Sequence, residues 1–136
     1  MVAHLQNLDP FRERTADRVV LVAEDNDLNF ELLSAVLERD GLRPLWARDG
    51  NEAVRSAATN RPDLLILDLH LPGLGGLDVL KRVRADPATC ALPVLVLTAD
   101  AMAGTREEVL AEGANDILTK PFDLRALRST IARLLE

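Results

Sequence analysis

Short apolar runs alternate with amphipathic stretches along most of the chain. Five runs of strand length, rich in leucine and valine, recur at regular intervals: Val19–Ala23, Arg43–Ala47, Leu64–Asp68, Val94–Thr98 and residues 115–119. Because each run is mostly apolar, the pattern predicts five strands that are buried on both faces of a sheet.

The stretches between these runs have the spacing of apolar residues that is typical of helices. In the first, residues 27–39, one side holds Leu28, Leu32, Val36 and Leu37, and Gly41 is suited to end the helix. Further helices are predicted at about residues 51–60, 77–84 and 104–112, and after Asp123, a favourable N-cap. Since parallel strands need crossover helices, this alternation predicts a doubly wound α/β fold.

Composition and charge indicate a soluble globular domain. The chain has 136 residues, 48% of them apolar and 28% charged. The first 18 residues lack a regular apolar period, so we expect a tail or short extra helix at 1–18 and one domain at 19–136. No apolar run approaches the roughly 20 residues of a membrane span, and the start lacks the apolar core of a signal peptide. We therefore expect a cytoplasmic protein.

The charge balance also bears on partners. A formal net charge of −6, with only one tryptophan, three phenylalanines and no tyrosine, argues against direct binding of nucleic acid. The single cysteine excludes an internal disulfide. We expect no direct contact with nucleic acid or membrane.

Polar residues with useful chemistry follow four of the predicted strands. Glu24 and Asp25 come directly after the first strand, Asp68 ends the third, Thr98 ends the fourth, and Lys120 follows the fifth. In an open α/β sheet, the carboxyl ends of the strands form the binding edge. We therefore expect three carboxylates, a hydroxyl and an ammonium group to converge there.

Each of these residues alone has an ordinary structural explanation, such as a solvated turn or a helix cap. Together they favour a functional site, because two unit charges about 4 Å apart repel by roughly 4 kcal/mol at an effective dielectric near 20. A hard divalent cation would relieve Glu24, Asp25 and Asp68, and oxygen ligands favour Mg²⁺. A phosphate or flavin site would instead need glycines and backbone donors after the first strand.

Four segments of the chain resemble the receiver domain of two-component response regulators. They are VLVAEDNDLN, LLILDLHLPGLGGLDVL, VLVLTAD and NDILTKPF, in the order and spacing of that family, and the resemblance covers about residues 19–136. It implies a flavodoxin-like (βα)5 fold, with a five-stranded parallel sheet in the order 2-1-3-4-5. It also implies a cis bond before Pro121.

The resemblance implies a role for each residue of the predicted cluster. Asp68 corresponds to the aspartate that accepts a phosphoryl group. Asp25 and Asp68 would bind Mg²⁺ directly, Glu24 would bind it through water, and the backbone carbonyl of His70 would complete the protein ligands.

Two further residues would contact the phosphoryl group itself. Lys120 would pair with one phosphoryl oxygen, and Thr98 would hydrogen-bond to another. The short side chain of Ala99 would leave a path for the incoming group.

The function implied is that of a single-domain response regulator. It would take its phosphoryl group from a histidine kinase or a histidine phosphotransfer protein, docked near residues 28–31. It would not be an enzyme in the usual sense, since it would catalyse only its own phosphorylation and dephosphorylation. Output would pass through the face formed by helix four, strand five and helix five, to a downstream protein effector or a second copy. Arg125, Arg128 and Arg133 could pair with acids of that copy.

Several positions depart from the family's pattern. Ile117 stands where the family usually has an aromatic residue, and Gly75 stands where it usually has Asp or Asn, which predicts a more mobile loop. His70 and Asp100 occupy positions that usually tune the lifetime of the phosphoryl group. Trp46 is interpreted as a packing residue.

Other functions stay open at this stage. The chain could be a receiver-fold binding module that is never phosphorylated, or a receiver cut from a hybrid kinase. A haloacid-dehalogenase-like phosphatase would have a second acid two residues after the nucleophile, where this chain has His70. A flavodoxin-like electron carrier is opposed by the acidic first turn.

Overall fold

The structure, a computed structural model, describes residues 18–99 and 103–136. The predicted tail before residue 18 and the position of Asp100 lie outside these residues. In the described part of the chain, five strands alternate with five helices: β1 Val19–Ala23, α1 Asp27–Arg39, β2 Arg43–Ala47, α2 Gly50–Asn60, β3 Leu64–Asp68, α3 Gly76–Ala85, β4 Val94–Thr98, α4 Ala103–Ala111, β5 Asp116–Thr119 and α5 Leu124–Leu134.

The five strands form one parallel sheet in the order β2-β1-β3-β4-β5, which confirms the predicted topology. Successive residues of a strand point to opposite faces, so the sheet has two cores. On one face, α1 and α5 pack on the sheet through Leu33, Leu37, Leu127 and Ile131. On the other, α2, α3 and α4 pack on it through Ala53, Ala57, Val79, Leu80, Val83 and Val109.

Burial differs between central and edge strands. β1, β3 and β4 are almost completely buried, as predicted. The same prediction is wrong for β2 and β5, which lie at the two edges of the sheet. In β2, Arg43 is exposed, and only Ala47 is fully buried. Pro44 offers no N–H group there, which makes this edge a poor template for another strand.

Local capping fixes the helix boundaries, which differ from the predicted ones by one residue at most. The side chains of Asn26, Asp49 and Asp123 accept hydrogen bonds from the first turns of α1, α2 and α5, so the predicted cap at Asp123 is confirmed. After α1, Gly41 has a φ of 81°, which suits the residue that follows a helix.

Two ion pairs connect α5 with other elements. Arg128 donates two hydrogen bonds to Asp40 at the end of α1, at 2.9 and 2.7 Å, and Arg133 pairs with Asp116 of β5. Two of the three arginines that we expected to serve a second copy are therefore paired within the chain. Among the described residues, no helix has the length and apolar character needed to cross a membrane.

Candidate functional site

The acidic turn, residues 24–26, connects β1 to α1 at the carboxyl edge of the sheet. Glu24 is almost completely buried, and its backbone N–H donates to the Ala47 carbonyl at 3.0 Å. Its side-chain Oε2 accepts a hydrogen bond from the Asn26 N–H at 3.1 Å. Asp25 is exposed. One carboxylate of the turn is thus fixed inside the protein, and the next faces solvent.

Asp68 and Lys120 reach the same place from the ends of β3 and β5. Asp68 is buried, and its Oδ1 accepts a hydrogen bond from the His70 N–H at 2.9 Å. The Lys120 ammonium lies 3.2 Å from Asp68 Oδ2 and 3.5 Å from Glu24 Oε1. Carboxylate oxygens of Glu24, Asp25 and Asp68, the acidic cluster, all lie within 4.8 Å of one another. The predicted convergence of these four side chains is confirmed.

The acidic cluster has more negative charge than the neighbouring Lys120 can neutralise. When ionised, its three carboxylates and the Lys120 ammonium sum to −2. Burial raises the pKa of Glu24 above the usual 4.5, and the charge of Asp68 raises it further, although the Asn26 N–H and Lys120 act in the opposite direction. Ionising Glu24 in the folded protein therefore costs free energy unless more positive charge is present. Oxygen ligands with this charge are suited to a hard divalent cation.

The remaining predicted residues lie around this cluster. Thr98, the last residue of β4, is completely buried, and its carbonyl accepts a hydrogen bond from the Lys120 N–H at 2.7 Å. Asp68 is in register with Leu97, so Thr98 lies one residue further along the neighbouring strand. Ala99 and the His70 residue are exposed. The bond between Lys120 and Pro121 is cis, as the resemblance implies.

Ile117 faces away from solvent. It lies on β5, is 3% exposed and belongs to the core on the α2–α3–α4 face of the sheet. The position that is usually aromatic in the family is therefore a packed aliphatic core residue in this chain.

Two glycines allow close contacts around the loop that follows Asp68. A Cβ atom at Gly76 would lie 2.6 Å from the carbonyl oxygen of Asp68, and one at Gly50 would lie 1.8 Å from that of Leu74. Gly75 is different: its φ is −65°, and no atom of the described residues lies within 4 Å of the corresponding position. The close contact at Gly50 could not be predicted from the sequence, because a contact between α2 and a distant loop leaves no local signal.

A mostly apolar pocket of about 310 Å³ lies directly beside the acidic cluster. Glu24 and Lys120 line it together with Leu32, Leu33, Leu97, Pro121, Phe122 and Leu124. No local pattern in the sequence indicates this pocket, because it forms only where α1 and the start of α5 come together. Of the leucines that line it, Leu32 is 48% exposed and Leu124 45%, and Leu28, one turn before Leu32 on α1, is 74% exposed, which is unusual for leucine.

Comparisons with known proteins indicate one family over almost the whole described chain. The family Response regulator receiver domain matches residues 20–132. The polar-differentiation response regulator DivK of Brucella anthropi is 34% identical over 116 residues, covering 85% of this chain and 94% of DivK. The response regulator PleD of Caulobacter vibrioides is 38% identical over 104 residues, or 76% of this chain, and the match spans only 23% of PleD.

A solved structure supports the same relationship. The receiver domain of the sensor histidine kinase PA1611 from Pseudomonas aeruginosa, crystallised with a magnesium ion coordinated in its active-site cleft, superimposes with a TM-score of 0.80. It is 36% identical in sequence, and the superposition covers 87% of this chain and 97% of that domain.

Proposed function

Because the chain belongs to the response regulator receiver domain family, we propose that Asp68 accepts a phosphoryl group from a phosphohistidine of a histidine kinase or phosphotransfer protein. The protein then signals in the cytoplasm by contact with other proteins. The observation that supports this most strongly is the position of Asp68, which is buried beside two further carboxylates and within 3.2 Å of the Lys120 ammonium. A module that served only as a scaffold would have no use for this concentration of charge.

Mg²⁺ is the cofactor that fits this site. The side-chain ligands are oxygen atoms, and with Lys120 they sum to −2, the charge that a divalent cation neutralises. Asp25 and Asp68 would hold the ion directly, Glu24 through water, and His70 through its backbone carbonyl. When bound, the ion supplies positive charge that attracts the phosphoryl oxygens toward Asp68.

In the transfer step, a carboxylate oxygen of Asp68 attacks phosphorus in line with the imidazole nitrogen of the donor. The P–O bond forms, the P–N bond breaks, and the imidazole takes a proton from solvent. The His70 N–H fixes one Asp68 oxygen at 2.9 Å and so orients the carboxylate. Lys120 and the Thr98 hydroxyl hydrogen-bond to the phosphoryl oxygens. In this proposal the chain catalyses its own phosphorylation and dephosphorylation.

The phosphoryl group then changes the surface on the β4–β5 side. It offers new acceptor oxygens to Thr98, and a shift of Thr98 toward them would move the end of β4. Because residue 117 is an isoleucine packed in the core, this change at Thr98 is transmitted without an aromatic side chain at that position. The face of α4, β5 and α5 is the output surface for an effector or a second copy.

The phosphodonor docks at the exposed leucines beside the apolar pocket. Leu32 on α1 and Leu124 on α5 line an opening that leads to Glu24 and Lys120, and Leu28, one turn before Leu32, is exposed on α1. A helix of the donor protein that covers these leucines would bring its phosphohistidine to Asp68 and exclude water from the site.

Intact mass spectrometry after incubation with acetyl phosphate, a small acyl phosphate, tests the transfer. We expect a gain of one phosphoryl group that requires Mg²⁺ and is absent from Asp68→Asn. Asp78→Asn removes an exposed carboxylate of α3 and should leave the gain intact. If wild type gains no mass while it remains folded, the binding-module alternative is favoured.

The docking surface has a separate test. Leu28→Ser should slow transfer from a phosphorylated histidine phosphotransfer protein at least several-fold, but leave the rate with acetyl phosphate unchanged. Leu110→Ser changes an exposed leucine of α4 and should alter neither rate. Equal rates of protein-dependent transfer in wild type and Leu28→Ser would exclude this surface.

A further inference from the structure

Trp46, at the end of β2, contacts the backbone of the acidic turn. Its indole Nε1–H donates a hydrogen bond to the carbonyl oxygen of Glu24 at 2.6 Å. The N–H of Glu24 in turn donates to the carbonyl of Ala47, the next residue of β2. Both backbone polar groups of Glu24 are therefore bound to β2, while its side chain lies in the acidic cluster.

The orientation of the indole is itself fixed. Phe30 of α1 stacks on Trp46, with ring centroids 4.2 Å apart and planes within 2° of parallel. The guanidinium carbon of Arg48 lies 4.0 Å from the Trp46 ring centroid. Two groups this close to one ring cannot share a face, so Phe30 and Arg48 lie on opposite faces. We call these three side chains the aromatic stack.

The aromatic stack also joins β2 to the start of α1. Arg48 forms an ion pair with Asp27, at 2.6 Å, and the Phe30 N–H donates to the carbonyl of Asn26. The acidic turn is thus flanked by two elements that the stack connects. An indole that donates one hydrogen bond from a fixed position restricts where the Glu24 peptide can lie.

That restriction matters because burial is unfavourable for the ionised Glu24 side chain. Its carboxylate lies within 4.8 Å of those of Asp25 and Asp68 and is almost completely buried, so an outward movement of the turn would hydrate it and relieve the repulsion among the three. The hydrogen bond from Trp46 opposes such a movement and keeps the Glu24 carboxylate close to Asp25 and Asp68.

We propose that Trp46 is a positioning residue, which holds the acidic turn in the geometry that binds Mg²⁺. The inference rests on the proposed function, because it assigns to Trp46 a role in the same metal site. It goes beyond packing: the indole N–H, and not only the ring, contributes to the affinity for the ion.

Trp46→Phe separates the hydrogen bond of the indole N–H from the packing of the ring, since phenylalanine keeps a ring for Phe30 and Arg48 but has no N–H. Titration calorimetry with MgCl₂ should show affinity weakened about 3- to 10-fold, the effect of one hydrogen bond. Phe30→Leu is the matched variant, because it removes the stacking partner and keeps the N–H, and it should weaken binding less. Unchanged Mg²⁺ affinity in Trp46→Phe, whatever its thermal stability, would overturn the inference.

The fluorescence of wild type provides a second readout, because Trp46 is the single tryptophan of the sequence. Addition of Mg²⁺ should change its emission, and Asp25→Asn should abolish the change at the same concentration. Calorimetric binding without any change in emission would contradict the coupling between Trp46 and the site. If wild type binds no Mg²⁺ at all, the metal part of the proposed function fails as well, so the two failures are distinguishable.

Discussion

At position 76, only a hydrogen atom fits between the start of α3 and the end of the strand that contains Asp68. A methyl group there would lie 2.6 Å from the Asp68 carbonyl oxygen and 2.6 Å from the Leu69 Cα. Both are backbone atoms, which cannot move aside as a flexible side chain would. We expect Gly76→Ala to lower the free energy of unfolding in urea by about 1–3 kcal/mol, as overpacking usually does, and to weaken Mg²⁺ binding by displacing Asp68.

Gly75 provides the control for that prediction. It is the N-cap of α3, its φ is negative, and a Cβ there meets no atom of the described residues. Gly75→Ala should cost up to about 1 kcal/mol at the cap, where glycine is preferred over alanine, but alanine also restricts the unfolded chain by a comparable amount, so we expect a net change within about 1 kcal/mol. A similar loss in both variants would mean that α3 does not need its close approach to β3.

The residues of the acidic cluster could be predicted from the sequence, but the contacts that surround them could not. Glu24, Asp25, Asp68 and Lys120 could be predicted to meet because each follows a strand, and parallel strands present their carboxyl ends at one edge. The hydrogen bond from Trp46 to Glu24 could not, because it depends on how β2 and the acidic turn face each other in space. In a linear sequence, such a tryptophan cannot be distinguished from one that only packs.

Among the elements, α3 is connected to two loops by a single side chain. The Arg84 guanidinium donates to the carbonyls of Gly113, Leu92 and Cys90 and to the side chain of Asn115, at 2.6–3.2 Å. These acceptors lie in the segments that lead into β4 and β5. The planar fork of arginine can reach all of them, whereas the single ammonium of lysine cannot.

We therefore expect Arg84→Lys to lower the free energy of unfolding by about 2 kcal/mol, since several acceptors lose their donor. Chemical denaturation measures the change. Arg82→Lys, at an exposed position of the same helix, should stay within about 0.5 kcal/mol of wild type. Equal stability of Arg84→Lys and wild type would show that water replaces the guanidinium at no cost.

The contact between α1 and α5 should depend on pH. Hydrogen bonds from Arg128 hold the pKa of Asp40 below its usual 3.8. Between the folded and unfolded values, the unfolded chain binds more protons, so stability rises with pH there. The contribution of the pair is fully present above 3.8 and is lost as the pH falls through the folded pKa of Asp40.

Urea denaturation of wild type and Arg128→Gln at a series of pH values tests this. We expect wild type to be more stable near neutral pH, and the difference to disappear in acid once Asp40 is protonated. Arg125→Gln, on the same helix, should show no such pH-dependent difference. If the difference in free energy of unfolding between wild type and Arg128→Gln persists unchanged in acid, it comes from packing of the arginine stem and not from the ion pair.

Element prediction succeeded where a short apolar run has clear ends. The bounds of β1, β3 and β4 follow from leucine and valine runs that stop at polar residues. Burial of β2 was predicted wrongly, because position in the sheet, and not composition, decides whether a strand has a neighbour on each side. The order that puts β2 at an edge followed from the family resemblance rather than from the residues of β2.

At the scale of the whole molecule, we expect the acidic cluster to couple the stability of the fold to Mg²⁺. Both cores pack on a single sheet, so we expect the domain to unfold as one cooperative unit. Without added cation, the ionised cluster and Lys120 sum to −2 inside a largely buried site, and the folded state bears this repulsion. The unfolded chain does not hold the three carboxylates together and should bind Mg²⁺ only weakly.

Mg²⁺ should therefore stabilise the folded protein by mass action, by about 2.7 kcal/mol at a free concentration of 100 times its dissociation constant. Denaturation in MgCl₂ and in NaCl of equal ionic strength separates specific binding from screening. Asp25→Asn removes the exposed ligand, so without Mg²⁺ it should be at least as stable as wild type, but it should gain much less from the ion. If wild type and Asp25→Asn gain equally, the ion acts elsewhere, and the acidic cluster is not the magnesium site.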